Sequence, residues 1–457
     1  MNLSVVILAA GQGTRMRSKL PKVLHTIGGQ PMLAHVIRTA QSLRPEAMQV
    51  VYGHGGEQVR AALSDLPVQW VLQEQQLGTG HAVAQALPNI AAGQTVLVLY
   101  GDVPLTRTDT LRRLLAAAEG GALGLLTAHL DDPAGYGRII RDAQGDVIAI
   151  VEHKDASDEQ RSINEINTGM LAVSAARLRE WLAGLDNKNS QGEFYLTDVI
   201  AMAVRDGVAV KAVHPAAIAE IMGINNKPQL AELERIHQRQ QAEALMVQGV
   251  TLRDPARLDV RGEINVGRDV VIDVNLVCEG RVIIGNDVSI GPNCYLRDVS
   301  IADGVVVQAN SVIEETSIGA GSRIGPFARI RPGTVLADDV HIGNFVEIKK
   351  AEIGQGSKVN HLSYVGDATI GKRVNVGAGT ITCNYDGANK HQTIIEDDAF
   401  IGSDSQLVAP VTVGAGATIG AGSTISKDAP PGELTLSRVP QQTRKGWKRP
   451  VKKKSAE

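Results

Sequence analysis

Hydrophobic residues follow two different periods along the chain. Residues 1 to about 226 alternate short apolar runs with longer amphipathic stretches, a pattern typical of β-strands alternating with α-helices. This order favours a parallel sheet with helices on both faces. The predicted strands are Val5–Ala9, Gln49–Tyr52, Trp70–Leu72, Val96–Tyr100 and Gly124–Leu130. The predicted helices are Pro31–Leu43, Glu57–Ser64, Gly80–Ala86 and Thr108–Ala118.

The last part of the chain instead repeats an aliphatic residue every six positions, with occasional steps of five. Such a period predicts a solenoid in which each hexapeptide is one short strand and a turn, three of which form one coil of a triangular prism. The aliphatic residue of each strand should point inward and stack on its counterpart one coil away. A break at Thr382–Thr393 predicts a loop that projects from the solenoid. The repeat positions are Val266, Ile272, Cys278, Ile284, Ile290, Leu296, Ile301, Val307, Ile313, Ile318, Ile324, Ile330, Leu336, Ile342, Ile348, Ile353, Val359, Val365, Ile370, Val376, Ile401, Leu407, Val413, Ile419 and Ile425.

One long polar helix is predicted between these regions, over Pro228–Gln248, with Gly249 just past its end. We therefore expect a first domain at residues 1–226, a linker helix at 227–248 and a solenoid domain with a basic tail at 249–457. The tail, Gln441–Lys454, is expected to be a docking arm or a solvated segment rather than a nucleic-acid-binding one.

Composition narrows the possible functions. Glycine supplies 48 of 457 residues and aromatic residues only 3%, which fits many tight turns and thin aliphatic cores. A net charge of −3 gives no field that would draw the chain to nucleic acid or to a membrane. Three sparse cysteines argue against a disulfide framework, and neither a signal peptide nor a membrane-spanning run is visible. We expect a soluble, cytoplasmic protein that binds neither nucleic acid nor membranes.

A glycine-rich turn follows the first predicted strand, in the segment Leu8–Met16 (LAAGQGTRM), with Pro21 and Lys22 downstream. Glycines let backbone N–H groups approach phosphate oxygens, and Arg15 and Lys22 add positive charge. The segment is neither a P-loop nor a GxGxxG dinucleotide fingerprint, which disfavours both of those classes. No Ser-His-Asp or Cys-His arrangement stands out. His25, His54 and His81 are expected to be ordinary polar residues rather than catalysts.

Asp102 follows the predicted strand Val96–Tyr100. On its own it could cap a helix, since aspartate is favoured there. Open α/β sheets, however, bind ligands beyond the carboxyl ends of their strands, which makes a ligand the better interpretation.

The string Leu8–Met16 with its downstream Pro-Lys resembles the sugar-1-phosphate nucleotidylyltransferase family. Further matches follow in chain order and cover residues 1–226: Gln73 with Leu77–Gly80, Tyr100–Asp102, Gly135–Arg138, Glu152, Asn167–Gly169 and Asn225 with Asn226. The resemblance implies attack by a sugar-1-phosphate oxygen on the α-phosphorus of UTP, with release of pyrophosphate. Such chemistry depends on positioning and charge neutralisation rather than on a covalent nucleophile.

The same resemblance implies a role for each matched residue. Arg15 and Lys22 would neutralise the triphosphate, and Asp102 and Asn225 would coordinate Mg²⁺, a hard cation that prefers oxygen ligands. Uracil and ribose would contact Leu8, Ala9, Ala10, Gly11 and Gln73. Gly78 and Thr79 would lie near the base and the nucleotide sugar, with Tyr100 and Gly101 also lining the site. The amino sugar would contact Gly137, Glu152 and Asn167.

Charged and hydroxyl residues cluster in the middle of the repeat. Arg331 and Lys349 are 18 positions apart, about one coil, and His361, Tyr364 and Asn375 follow. We expect them to share one rim of the solenoid with Glu347. The repeat itself resembles the left-handed parallel β-helix of the hexapeptide acyltransferase family, whose members usually form trimers and bind acyl-CoA between neighbouring prisms. Fold alone does not establish that chemistry.

Both halves, the linker helix and the insertion together resemble the family of bifunctional N-acetylglucosamine-1-phosphate uridylyltransferase/glucosamine-1-phosphate acetyltransferases. This implies that His361 is the general base that takes a proton from the amino group of glucosamine-1-phosphate, with Glu347 orienting it. Arg331 and Lys349 would grip the sugar phosphate, and Tyr364 and Asn375 the sugar. The remaining contacts, on the acetyl-CoA side, would be Asn384, Tyr385, Ala378, Ser403, Ala421 and Arg438. Transfer is expected to be direct rather than through Cys383, since nothing beside that thiol would lower its pKa.

The leading hypothesis is therefore an enzyme that acetylates glucosamine-1-phosphate with acetyl-CoA and then joins N-acetylglucosamine-1-phosphate to UMP from UTP. It would use Mg²⁺ and act as a homotrimer. An alternative is a single-activity nucleotidylyltransferase whose β-helix serves only assembly or regulation; His361, Glu347 and the insertion argue against it. A non-enzymatic scaffold or sugar sensor is a third reading, against which the set Arg15, Lys22, Asp102 and Asn225 argues.

Overall fold

The structure is a computed structural model and describes residues 2–53 and 56–452, so His54 and the last residues of the basic tail lie outside it. The chain divides into two compact units, Met1–Gln241 and Ala242–Glu457. The division falls inside one long helix, Lys227–Val247, which begins and ends one residue earlier than predicted. Gly249, with a φ of 101°, follows its end, a position where only glycine adopts the backbone at no steric cost. The domain boundaries at 226 and 249 stay a prediction.

The first unit is built on a mixed sheet. Its strands are β1 (Leu3–Ala9), β2 (Ala47–Tyr52), β3 (Gln69–Leu72), β4 (Thr95–Tyr100), β5 (Leu123–His129), β6 (Arg138–Arg141), β7 (Val147–Val151), β8 (Glu165–Ser174) and β9 (Val210–Val213). The main order is β9-β5-β8-β4-β1-β2-β3, and a two-stranded hairpin, Thr26–Ile27 with Gln30–Pro31, lies outside it. Strands β1 to β4 run parallel, as predicted.

Strand β8 departs from the predicted parallel sheet, because it runs antiparallel to both β4 and β5. The chain reaches β8 through the β6–β7 hairpin and one short helix rather than through a long helical crossover. A strand that returns without such a crossover can pair antiparallel. Strand β8 is buried along most of its length, so its hydrophobic pattern gives no indication of its direction.

Helices cover both faces of this sheet, which confirms the layered prediction. One face packs against α1 (Met32–Gln41) and α4 (Thr108–Ala117) through residues such as Leu33, Ile37 and Leu114. The other packs against α3 (Thr79–Ala86), α6 (Ala175–Ala183) and α7 (Asp198–Arg205) through residues such as Val83 and Trp181. The helices are α1 (Met32–Gln41), α2 (Glu57–Ala62), α3 (Thr79–Ala86), α4 (Thr108–Ala117), α5 (Asp158–Arg161), α6 (Ala175–Ala183), α7 (Asp198–Arg205) and α8 (Lys227–Val247). Within the described residues none of the helices combines the length and the apolar character of a membrane span.

The second unit is a solenoid of short parallel strands, as the six-residue period predicted. Corresponding strands of successive coils pair in register, so that Ile330 aligns with Ile348, and Ile348 with Val365. Each predicted repeat residue is buried except Val266, which is half-buried at the first coil. Side chains that alternate with them along the strands face outward. The fold class is therefore the parallel β-helix of hexapeptide type.

The strands of the solenoid belong to two sheets in the described part of the chain. The first contains Thr251–Leu252, Val271–Ile272, Ser289–Ile290, Val306–Val307, Arg323–Ile324, His341–Asn344, Lys358–His361, Asn375–Val376, Phe400–Ile401, Thr418–Ile419 and Leu434–Thr435. The second contains Leu258–Val266, Leu276–Ile284, Tyr295–Arg297, Ser300–Ile301, Val312–Glu314, Thr316–Ile318, Arg329–Ile330, Thr334–Leu336, Glu347–Ile353, Tyr364–Ile370, Ile381–Cys383, Thr393–Ile395, Gln406–Val408, Val411–Val413 and Thr424–Ile425. The second sheet continues around a corner of the prism.

Truncating one of the buried aliphatic side chains that stack from coil to coil should destabilise the solenoid. We expect Ile342→Ala, at a fully buried position, to lower the free energy of unfolding by about 2–5 kcal/mol, because the cavity cannot collapse between stacked coils. Urea denaturation followed by circular dichroism measures this. Lys358→Ala, at an exposed position one coil away, is the control and should change it by less than about 0.5 kcal/mol. Equal effects of the two substitutions would contradict the stacking argument.

Candidate functional site

A cavity of about 310 Å³ opens at the carboxyl ends of β1 and β4. These strands are parallel neighbours, so the residues that follow Ala9 and Tyr100 meet at one edge of the sheet. Ten of the residues predicted for the uridylyltransferase site line this cavity: Leu8, Ala9, Ala10, Gly11, Lys22, Gln73, Gly78, Thr79, Tyr100 and Asp102. Gly101 lies between two of them and leaves little room for a side chain, since a Cβ there would be 3.0 Å from Leu33.

Oxygen atoms of Asp102 and Asn225 converge on the ammonium of Lys22. The Lys22 Nζ donates to Oδ2 of Asp102 at 2.5 Å and to Oδ1 of Asn225 at 2.8 Å. The guanidinium of Arg15 donates to the same Asn225 oxygen at 2.9 Å. A long-range backbone contact brings Asn225 here, because the N–H of Ile224 donates to the carbonyl of Asp102 at 3.0 Å. The structure therefore brings together four residues that the sequence predicted for phosphate and metal binding.

The residues predicted for the amino sugar form a second group. The carbonyl of Gly137 accepts from the N–H of Asn167 at 2.9 Å. A Cβ on Gly137 would be 3.5 Å from either carboxylate oxygen of Glu152. Burial, together with the charges of nearby carboxylates, raises the pKa of Glu152. Burial also raises the pKa of Tyr100, with smaller contributions from Glu152 and Asp102, so the Tyr100 phenol stays protonated.

Sequence reasoning missed several residues of this site. Gln76 lines the cavity and donates its amide to the carbonyl of Ala10. Glu193 lines it from a distant loop, and the Thr197 hydroxyl donates to Glu152 at 3.1 Å. Gln76 lies three positions after Gln73, a spacing that could have indicated it. Glu193 and Thr197 follow no pattern that marks them, since only the fold brings them near.

A separate group of His129, Glu165 and His214 has ligand atoms within 4.8 Å of one another. The carboxylate of Glu165, however, accepts two bonds from Arg141, at 2.8 and 2.7 Å, and a third from Thr127 at 2.8 Å. A cation of the chain itself thus already neutralises Glu165. We interpret the group as a structural ion pair rather than a metal centre.

The predicted acetyltransferase residues belong to two sheets of the solenoid, and whether they share one rim stays a prediction. His361 and Asn375 belong to the first sheet, whereas Arg331, Glu347, Lys349 and Tyr364 follow the second. Residues one coil apart do stack, but steps of 11 or 12 positions lead to a different face of a three-sided coil. Along the chain only two residues, at the corner that contains Leu362, separate His361 from Tyr364.

The hydrogen bonds of these residues differ from the expected arrangement. Among the described residues, the ring of His361 bonds to Asn344, with Nδ1 and Oδ1 2.9 Å apart. Glu347 accepts from Arg331 at 2.7 Å instead of reaching His361. The reason is register: Asn344 pairs with His361 across neighbouring strands, while Glu347 pairs with Tyr364. Asn344 was missed because only this register reveals it.

Two lysines meet beside this group. The pKa of Lys349 is lowered by its close contact with Lys390, and to a smaller extent by burial. Two ammonium groups in contact favour an anion between or beside them. Lys390 was missed, because it comes from the insertion that interrupts the repeat. Asn384, from the same insertion, donates to Asp367 at 2.6 Å and to the Tyr364 hydroxyl at 3.4 Å. The hydroxyl of the exposed Tyr385 donates to the carbonyl of Gly387 within that insertion.

Residues predicted for acetyl-CoA form a column along one corner. The carbonyl of Ala378 accepts from the N–H of Asp404 at 2.7 Å, and that of Ser403 from Gly422 at 2.8 Å. Arg438 donates to the carbonyl of Ala421 at 2.8 Å. These contacts stack Ala378, Ser403 and Ala421 on successive coils. Burial raises the pKa of Cys383, which disfavours the thiolate that an acyl carrier would need.

Comparison with known families matches the units separately. The MobA-like NTP transferase domain family matches residues 5–247. The GMPPB C-terminal domain family matches residues 260–353, and the bacterial transferase hexapeptide family, as six repeats, matches residues 392–427. The first match covers more than half of the chain, and the other two lie in the solenoid.

Individual proteins match over the full length. A protein of Methylococcus capsulatus named "Bifunctional protein GlmU" is 62% identical over 453 residues, which cover 99% of this chain and 98% of that protein. Proteins of the same name from Aromatoleum aromaticum and Azoarcus sp. are 62% and 61% identical and cover 100% and 99% of this chain. Each of these two matches covers 100% of the relative.

The raised pKa of Glu152 predicts a pH-dependent effect on stability. Because the folded protein holds this proton more tightly than the unfolded chain, ionisation of Glu152 disfavours folding above the ordinary glutamate pKa. We expect Glu152→Gln to raise the Tm by a few degrees at about pH 8. The gain should vanish once the pH falls below the ordinary glutamate pKa. Calorimetry across this range measures it.

Glu165→Gln is the matched comparison with the opposite sign. Burial alone would raise the pKa of Glu165, but its bonds with Arg141 and Thr127 outweigh burial and hold the pKa below its usual range. The stability that this carboxylate provides is therefore present above the ordinary glutamate pKa and lost as the pH falls through the lowered one. Glu165→Gln should lower the Tm at about pH 8, and less in acid. Shifts of the same sign in both variants would contradict this account.

Proposed function

The chain belongs to the family of bifunctional GlmU proteins, and from this premise we propose a division of labour between its two units. The enzyme acetylates glucosamine-1-phosphate with acetyl-CoA, and it transfers UMP from UTP to N-acetylglucosamine-1-phosphate, which releases pyrophosphate. We assign the second reaction to the cavity of the first unit and the first reaction to the solenoid. The observation that carries the function is similarity to proteins named as bifunctional along the whole chain, at 62% identity.

Uridylyl transfer needs charge neutralisation and alignment more than a nucleophile from the protein. A phosphate oxygen of N-acetylglucosamine-1-phosphate forms a new bond to the α-phosphorus of UTP, and the bond to pyrophosphate breaks. Arg15 and Lys22 are the cations placed to neutralise the phosphates. Glu152 and Asn167 receive the amino sugar beyond Tyr100. Support comes from the cavity, which Lys22 and Tyr100 line together with the glycine-rich turn at the end of β1.

Asp102 and Asn225 fit a divalent cation, because their oxygens already converge on one positive charge, that of Lys22. Mg²⁺ held there would offset the charge of the triphosphate and of the departing pyrophosphate. With both oxygens engaged in this way, the Lys22 ammonium would be free to bind phosphate oxygens itself. In the structure the same ammonium joins Asp102 to Asn225.

Acetyl transfer begins at His361. The carbonyl oxygen of the Asn344 amide can only accept, so the Nδ1–H of His361 donates to it at 2.9 Å and the lone pair remains on Nε2. Nε2 takes a proton from the amino group of glucosamine-1-phosphate as the nitrogen attacks the thioester carbon. The new C–N bond forms as the C–S bond breaks, and the proton held by His361 passes to the departing sulfur, so that CoA leaves as the free thiol. Arg331, Lys349 and Lys390 supply the cations that hold the sugar phosphate.

We also assign the chain to a homotrimer, with support from an unusual ladder at the corner beside His361. On the preceding coils this corner is occupied by Asn275, Asn293 and Asn310, whose side chains hydrogen-bond from coil to coil. The next three coils place Phe327, Phe345 and Leu362 there. All six residues have a positive φ, between 49° and 62°.

Asparagine tolerates this backbone, whereas bulky apolar residues adopt it rarely. Phe327 and Phe345 stack with ring centroids 5.2 Å apart, and they remain 49% and 57% exposed; Leu362 is 65% exposed. An exposed apolar ladder on a strained corner gains stability only when something covers it. A second copy of the chain is the partner we assign, which puts His361 at the boundary between copies.

A cytoplasmic location completes the proposal. Its support is that Cys278, Cys294 and Cys383 are all free, as in a reducing compartment.

Two substitutions should separate the activities. We expect His361→Ala to reduce thiol release from acetyl-CoA by about 100-fold or more, as for loss of a general base, while pyrophosphate release from UTP and N-acetylglucosamine-1-phosphate stays unchanged. Asp102→Asn should do the reverse. Both assays run on the same purified chain with Mg²⁺, and each variant is the control for the other. If the wild-type chain releases pyrophosphate but never thiol, the solenoid serves only assembly and the assignment of acetyl transfer to it is wrong.

The apolar ladder can be tested with residues that the corner already accepts. We expect Phe327→Asn with Phe345→Asn to lower the molar mass measured by light scattering toward that of a single chain, and to lower acetyl transfer with it. The asparagines suit the positive φ, so the chain itself should stay folded by circular dichroism and keep uridylyl transfer. A variant that remains a trimer with full acetyl transfer would refute the assignment of this corner.

A further inference from the structure

The amide of Gln73 is held in one orientation by two neighbouring groups of the chain, Gly78 and His81. Its side chain is only 2% exposed, yet it lines the cavity in which we assign the nucleotide. Its Nε2 donates to the carbonyl of Gly78 at 3.2 Å, and the same atom lies 3.0 Å from Nδ1 of His81. A carbonyl can only accept a hydrogen bond, so the atom at this point is the amide nitrogen and not the oxygen.

This orientation defines the state of His81. Since Nε2 of Gln73 donates, Nδ1 of His81 must accept, and a neutral ring then carries its proton on Nε2. The side-chain amide of Gln85 lies 3.1 Å from that Nε2. The nitrogen of this amide also donates to the His81 carbonyl at 3.3 Å. A neutral ring accepts from only one of the two amides, and the buried Gln73 needs partners inside the protein for both of its N–H groups, whereas Gln85 is half-buried. The acceptor of His81 therefore serves Gln73.

The surrounding backbone keeps this arrangement in place. The ring of Phe194 packs over His81 with centroids 6.5 Å apart. The N–H of Phe194 donates to Leu77 at 2.8 Å, and its carbonyl accepts from Gly80 at 2.9 Å. Gly78, with a φ of 111°, has no room for a Cβ, which would lie 2.6 Å from the Phe194 carbonyl. The carbonyl that orients Gln73 is therefore itself fixed.

With its nitrogen engaged twice, Gln73 has one polar atom left for a ligand, the acceptor Oε1. A uracil ring carries N3–H, a donor, whereas the N3 of cytosine is only an acceptor. An acceptor fixed in the pocket therefore binds the uracil edge and leaves cytosine N3 facing a lone pair. Sites built to hydrogen-bond one group reject an analogue that lacks it, because a buried polar atom stays unpaired.

From this geometry we propose that His81 is a positioning residue that sets base specificity: by accepting from Gln73 it keeps Oε1 turned to the base and selects UTP over CTP. His81 does not line the cavity of about 310 Å³ and acts only through Gln73. The inference rests on the proposed function, in that Gln73 contacts the base of the nucleotide.

The test compares His81→Phe with His81→Asn. Phenylalanine keeps a ring under Phe194 but removes the acceptor, so only the Gly78 carbonyl still holds the Gln73 amide and the amide turns more easily. We expect the ratio of kcat/KM for UTP to that for CTP to fall by about tenfold or more, mainly through a higher KM for UTP. Asparagine can place Oδ1 where Nδ1 of histidine lies, so His81→Asn should keep most of the wild-type ratio. A merely structural role would not distinguish the two in this way.

Thermal unfolding followed by circular dichroism reports whether each variant is folded. The proposal is overturned if His81→Phe keeps the wild-type ratio of UTP to CTP, or if His81→Asn loses as much of it as His81→Phe does. Failure of the proposed function looks different, because wild-type chain would then release no pyrophosphate from UTP. Gln73→Ala completes the set and should abolish the preference whatever residue stands at position 81.

Discussion

Stacking of identical coils is the constraint on which the second unit depends. Each coil can bury its aliphatic residues only against the coils above and below, so every strand must return to the same position after one turn. That requirement forces a sharp corner at fixed intervals, and residues with positive φ occupy those corners. Side chains that point outward are then aligned in columns as strictly as those that point inward. The proposed acetyl-CoA contacts, the asparagine ladder and the apolar ladder are all such columns.

The six-residue period was strong enough to predict this core almost completely, because burial repeats at nearly every aliphatic position. It could not predict which outward residues meet. His361 and Asn344 are partners through strand register, while Glu347 pairs with Arg331 on another face. Spacing along the chain shows which coil a residue belongs to but not which of its three faces. Each step of five residues also shifts all later positions by one. Lys390 comes from the insertion, where the six-residue period is interrupted, so the period could not predict its contact with Lys349.

The first unit was predictable in a different way. Its glycine-rich turn and the acid after β4 stand at strand ends, so their meeting at one sheet edge follows from a parallel sheet. Asn225, Glu193 and Thr197 come from loops far along the chain, and only backbone contacts such as that between Ile224 and Asp102 bring them in. The reversed direction of β8 was equally invisible, since a strand buried on both faces has the same pattern whichever way it runs.

In the proposed trimer, the change from asparagine to phenylalanine along one corner would couple folding to protein concentration. Each isolated chain would bear the backbone cost of Phe327, Phe345 and Leu362 in the left-handed region, whereas the contact that covers their exposed surfaces would form only between chains. By mass action, stability then rises with the amount of protein present, in the same way that a ligand stabilises its receptor. Dilution would therefore remove neighbours and stability together. Newly made chains without partners would then be the population most open to proteolysis, and assembly would itself contribute to keeping the protein folded.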